Sequence, residues 1–119
     1  RPITRSGAKP DDLLVVTGTL GDAGAALKFD LNANLNSSFN SDLQGAESYC
    51  YFLQRYWLPS PRVEFALNAS SFINAACDIS DGLQGDVGHL CTQSRLSAII
   101  ELDSLPLSDS LSSALSNCD

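Results

Sequence analysis

The chain has 119 residues, 44% of them hydrophobic and 18% charged, the size of one ordinary globular domain. Fourteen acids against seven bases give a formal charge of −7 with no basic run, which excludes the electrostatic footprint of a nucleic-acid or anionic-membrane surface. No apolar run approaches the roughly 20 residues that span a bilayer, and the opening RPITRSGAKP lacks a signal-peptide core, so a soluble protein without a membrane partner is expected.

Residues 1–11 are polar, carry Pro2 and Pro10, and read as a linker; 12–119 read as one domain. LLVVTG predicts a buried strand over 13–17, because a short β-branched run bounded by turn formers is a strand under other layers. The glycines of TGTLGDAG match neither the dinucleotide fingerprint nor the P-loop and are read as packing contacts, with Asp22 opening a helix. From about residue 32 to 45 the Asn/Ser-rich composition predicts a flexible loop.

Tyr49, Phe52, Leu53 and Tyr56 fall at i, i+3, i+4 and i+7, a core-facing stripe on a helix that stops by Leu58, ahead of Pro59. A second helix is expected from Pro61 to about Ile73. NAACDIS reads as extended, and DGLQGDVGHLCTQS as a helix with Leu83, Val87, Leu90 and Cys91 on one side. LSAIIEL predicts another buried strand, and LPLSDSLSSALSN a short helix entered at Ser108 or Asp109 that buries Leu111, Ala114 and Leu115. Strands alternating with helices predict an α/β fold class.

Four cysteines without a CxxC pair, and a single histidine, His89, do not predict a zinc site. The even cysteine count and the sequons at 36–38 and 68–70 are the marks of a secreted disulfide framework. Each cysteine nevertheless sits among apolar neighbours, as buried thiols do, and reduced intracellular cysteines are the reading adopted.

The segment AACDISDGLQGDVGHLC, residues 75–91, gathers acids at a junction between extended chain and helix. Asp78 and Ser80 project to one side by the period of two, and Asp81 meets the positive end of the next helix. Oxygen ligands of this kind suit Mg²⁺. Gly82, Gly85 and Gly88 each cost about 1 kcal/mol against alanine in a helix, which asks for close approach by a ligand or another element. The structural alternative stands beside this: Asp81 as a helix cap, Asp78 solvated, and glycines that admit a neighbouring helix. Asp86 lies about 140° around a helix from Asp81 and is placed outside the site. His89 has no paired acid and is read as a surface or supporting residue, and no catalytic residue is assigned.

TRSGAKPDDLLVVTGTLGDAGAAL, RYWLPSPRVE and CDISDGLQGDVGHL, in this order, resemble the thiamine-monophosphate kinase family of the aminoimidazole ribonucleotide synthetase superfamily. The resemblance implies a mixed sheet flanked by helices, like the carboxy-terminal domain of that synthetase, and incomplete. It implies a cytoplasmic enzyme that transfers the γ-phosphoryl group of ATP to thiamine monophosphate, giving thiamine diphosphate, with Mg²⁺ as cofactor. By resemblance Asp78 and Asp81 hold Mg²⁺, while Arg5 and Ser80 contact ATP. The family's amino-terminal half, which supplies most metal-binding aspartates and the dimer interface, has no counterpart here, nor has its later GGEDYE-like segment. Residues 1–11 are therefore expected to be the linker from a missing ATP-binding domain, and the chain to be an inactive fragment of a homodimeric kinase. The alternatives are another ATP-using enzyme of the superfamily and a non-catalytic interaction domain.

Overall fold

The computed structural model describes residues 2–35 and 45–116. Among them are five α-helices: α1 (Asp22–Leu35), α2 (Gly45–Trp57), α3 (Val63–Ala69), α4 (Leu83–Ser94) and α5 (Asp109–Ser116), with a 3-10 turn at Leu102–Ser104. The chain forms two compact units, Arg1–Val16 with Arg62–Ser104, and Thr17–Pro61 with Leu105–Asp119.

In the second unit α1 packs on α2. The stripe read from the sequence is the packed face of α2: Phe52 is fully buried, Tyr49 and Leu53 are half-buried, and only Tyr56 is exposed. Ala26 of α1 is also buried, and the Tyr51 and Phe52 rings meet edge to face at 5.8 Å. An isolated parallel bridge joins Leu20 to Leu107, with the Leu20 N–H donating to the Pro106 carbonyl at 2.8 Å. That bridge sets Ser108 beside the start of α1. Ser108 Oγ donates to Asp22 Oδ1 at 2.6 Å and accepts the Leu111 N–H at 3.1 Å, so one hydroxyl caps α5 and holds α1.

Asp22 is 2% exposed, yet it is well supplied. Its Oδ2 accepts from Thr19 Oγ1 at 2.6 Å, Tyr51 Oη at 3.2 Å and Arg55 Nε at 3.4 Å. Burial works against its ionisation, and the hydrogen bonds from Ser108, Thr19 and Tyr51 with the Arg55 charge outweigh it, holding the carboxyl below its ordinary value.

In the first unit Val87 is buried on α4, with Leu83, Leu90 and Cys91 half-buried along the predicted side. The helix ends at Arg95, φ 57°, in the left-handed region, and the Leu96 N–H donates to the Cys91 carbonyl at 2.9 Å. Ser94 ties the chain's opening to this end of the helix: its Oγ accepts the N–H groups of Gly7 at 3.3 Å and Ala8 at 3.2 Å, and donates to the Arg5 carbonyl at 3.4 Å. The Ala76 N–H donates to the Thr4 carbonyl at 3.0 Å, fixing the other side of the same segment. Gly7 has φ 128°, and a Cβ there would stand 2.8 Å from the Asn74 carbonyl oxygen, so only glycine lets these two stretches approach.

The expected α/β fold with a mixed sheet is corrected: among the described residues there is no strand, and the Leu20–Leu107 bridge stands alone. Residues 13–17 and 96–101 run as irregular, non-helical chain without a ladder. Leu13 is 89% and Ile99 92% exposed, so the expectation of buried strands fails with the sheet. A β-branched run makes strand conformation favourable, but a strand is made by the partner that takes its N–H and C=O groups. α3 is shorter than the helix expected from Pro61 to Ile73 and buries nothing, and Leu115 of α5 is exposed. Of the expected loop at 32–45, residues 32–35 continue α1, Gly45 begins α2, and 36–44 lie outside the described residues. No helix among the described residues is long and apolar enough to cross a membrane. Cys50, Cys77 and Cys91 carry free thiols, and Cys118 lies outside the described residues.

Candidate functional site

The tethers at Thr4, Gly7 and Ser94 bring the Arg5 side chain to the irregular segment ahead of α4. There Arg5 Nη2 lies 3.5 Å from Asp78 Oδ1, both side chains largely in solvent. A pair this exposed contributes little to stability. Its interest is that two residues 73 positions apart, one expected to contact ATP and the other a cation, stand side by side.

Asp81 does not open the helix. α4 is entered through Gly82, whose φ of 103° lies in glycine's territory, and no side chain caps it. The cap comes from inside: Asp86, 2% exposed, turns back so that Oδ2 accepts the N–H groups of Ser80 at 3.0 Å and Asp81 at 3.1 Å. This is the reach-back of a capping box, displaced toward the preceding turn. Ser80 and Asp81 are themselves exposed.

The same turn assembles donor atoms. One ligand atom each from Asp81, Asp86 and His89 lie within 4.8 Å of one another. Sequence reasoning set Asp86 aside by helical-wheel geometry, which does not apply to Asp81 because that residue precedes the helix, and set His89 aside for want of a paired acid. The available signal was an acid in the first turn of a helix with no capping side chain at its entry. Asp78 is paired with Arg5, whereas the Asp81 carboxylate stands near that of Asp86 and the His89 ring. The exposed carboxylates of Asp78 and Asp81 are the hard oxygen donors Mg²⁺ takes, so the donor chemistry fits that ion.

An open-sided cavity of about 680 Å³ borders the turn, lined in part by Asp81, Gly85, Gly88 and His89. A Cβ on Gly88 would meet no atom within 4 Å and one on Gly85 only Asp81 Cβ at 3.8 Å, so among the described residues these glycines face space rather than a neighbouring helix. On the inner side the Cys77 thiol sits 3.7 Å from the Asp86 carbonyl oxygen. Burial, then the negative charge of Asp86, pushes that thiol up and keeps it protonated.

Known proteins align with almost the whole chain. It is 40% identical over 112 residues to the thiamine-monophosphate kinase of Escherichia coli K12, covering 94% of this chain and 32% of the relative. It is 39% identical over 111 residues to that of Salmonella typhimurium, covering 93% and 32%, and 34% identical over 115 residues to that of Aquifex aeolicus, covering 93% and 34%. The chain thus spans about a third of the length of these curated relatives. The family model described as AIR synthase related protein, C-terminal domain, matches residues 9–117. With that match running through α1 to α5 and the acidic turn between Asp78 and Asp86, the chain belongs to the AIR synthase related protein C-terminal domain family.

Proposed function

We propose that this chain is the carboxy-terminal part of a cytoplasmic, ATP- and Mg²⁺-dependent kinase that phosphorylates thiamine monophosphate to thiamine diphosphate. The observation that carries the reading is the 40% identity across 94% of the chain to a thiamine-monophosphate kinase. The geometry adds support, because the residues expected at nucleotide and cation meet in one unit.

Asp78 and Asp81 hold Mg²⁺, whose bound charge screens the ATP phosphates from the carboxylates and offsets charge that develops during phosphoryl transfer. Arg5, held where its carbonyl accepts from Ser94, turns its guanidinium from Asp78 to a phosphate oxygen. The Ser80 hydroxyl binds the nucleotide from the adjoining turn. No group in this chain is assigned to proton transfer, and catalysis is by placement and charge. The remaining ligands and the dimer contact come from outside this chain, which alone is inactive.

Intact protein mixed with ATP, Mg²⁺ and thiamine monophosphate should yield thiamine diphosphate, followed by chromatography. Asp78→Asn should lower turnover by about 10²-fold or more, the scale of losing a charged group that acts on a transferring phosphoryl. Undiminished turnover in that variant removes Asp78 from the site. Failure of the wild type to form thiamine diphosphate removes the substrate assignment.

A further inference from the structure

Asp86 carries an arrangement that the kinase reading leaves unused. A single oxygen of a carboxylate 2% exposed takes both backbone N–H groups of the turn that presents Ser80 and Asp81. A carboxylate this buried would be left uncompensated if its donors turned away, so two such bonds on one acceptor disfavour every other conformation of the turn. Gly82, at φ 103°, supplies the backbone conformation that lets the chain reverse around Oδ2 before α4 begins. The exposed groups are thus fixed by one that solvent scarcely reaches.

We infer that Asp86 is a positioning residue: its buried carboxylate locks the turn at 80–82 so that the Ser80 hydroxyl and the Asp81 carboxylate meet the magnesium nucleotide as a preformed unit. The identity of the ligand rests on the kinase reading; the locking rests on the two hydrogen bonds alone. Asp86 acts through the backbone of its neighbours and not as a ligand, although its proximity to Asp81 and His89 makes ligation the competing role. Oδ2 is committed to two amides, and the side chain is closed to solvent.

Asparagine separates the two roles, because its amide oxygen can replace Oδ2 at both N–H groups while its lost charge makes it a poor cation ligand. The experiment uses intact protein as wild type, Asp86→Asn and Asp86→Ala. It reads amide hydrogen exchange at Ser80 and Asp81 without ligand, the Mg²⁺ concentration for half-maximal thiamine diphosphate formation, and Mn²⁺ binding by electron paramagnetic resonance.

Asp86→Asn should keep both amides protected and the Mg²⁺ requirement near that of wild type. Asp86→Ala should lose the protection and raise the requirement by about 10- to 100-fold, as loss of a group that orients a ligand does, with turnover recovering at high Mg²⁺. Protected amides in Asp86→Asn together with a requirement raised as far as in alanine would make Asp86 a ligand and overturn the inference. Lost protection in alanine with an unchanged Mg²⁺ requirement would reduce it to a structural residue, also overturning it. If the alanine variant does not fold, Asp86→Asn still separates positioning from ligation, and Asp86→Ser, whose hydroxyl is too short to reach both amides, takes the place of alanine in the other comparison. If the wild type makes no thiamine diphosphate, the substrate reading falls separately, and amide exchange with Mn²⁺ binding still decides whether Asp86 positions Asp81.

Discussion

Two aspartates, Asp22 and Asp86, are the most buried charges among the described residues, and each collects donors for a different purpose. Asp22 gathers Thr19, Tyr51, Arg55 and Ser108 from three parts of its unit. Asp22→Ala strands those donors and should cost about 3–5 kcal/mol, measured by urea unfolding. Because the folded carboxyl is held below its ordinary value of 3.8, its contribution is complete above that pH and fades as pH falls through the depressed folded value. Urea midpoints should therefore drop below about pH 4 in the wild type, and Asp22→Asn should show a flatter acid limb; equal limbs would contradict the network. Cys77 makes a second residue-scale prediction. With its thiol raised by burial and by Asp86, it should alkylate with iodoacetamide more slowly at pH 7 than the exposed Cys50, as read by peptide mass analysis.

At the scale of elements, periodicity spoke clearly where an element satisfies its own backbone. The Tyr49–Phe52–Leu53 stripe of α2 and the Leu83–Val87–Leu90 side of α4 were legible because a helix closes its hydrogen bonds internally, leaving side-chain spacing to say which face is covered. Phe52→Ala should lower stability by about 3–5 kcal/mol, since the ring is fully buried on the helix that packs against α1. LLVVTG and LSAIIEL were misread as strands because their spacing names no partner. The site divides in the same way. Motifs point to Arg5, Asp78, Ser80 and Asp81, and the structure brings Arg5 to Asp78, while the hydrogen bonds of Asp86 to the Ser80 and Asp81 amides depend on a turn at Gly82 that a helical wheel cannot represent. Gly7 lay inside a quoted motif, but its contact with the Asn74 carbonyl depends on two stretches far apart in sequence. Gly7→Ala should loosen that crossing and weaken the hold on Arg5, visible as faster exchange of the Ala76 amide that bonds Thr4.

For the chain as a whole, the charge of −7 disfavours a bare polyphosphate, and at the proposed site a bound cation would offset it. Intact protein should take up ATP when Mg²⁺ is present and release it on addition of EDTA, followed by equilibrium dialysis; nucleotide retained under chelation would oppose the proposed site. The buried apolar side chains among the described residues are few: Ala26, Phe52 and Val87. Unfolding exposes to water only what folding had hidden, and an average chain of this length gains about 1.5 kcal/mol/K in heat capacity on doing so. With so few of the described side chains enclosed, a calorimetric scan of this chain should show a smaller increment than that and a broad, shallow endotherm.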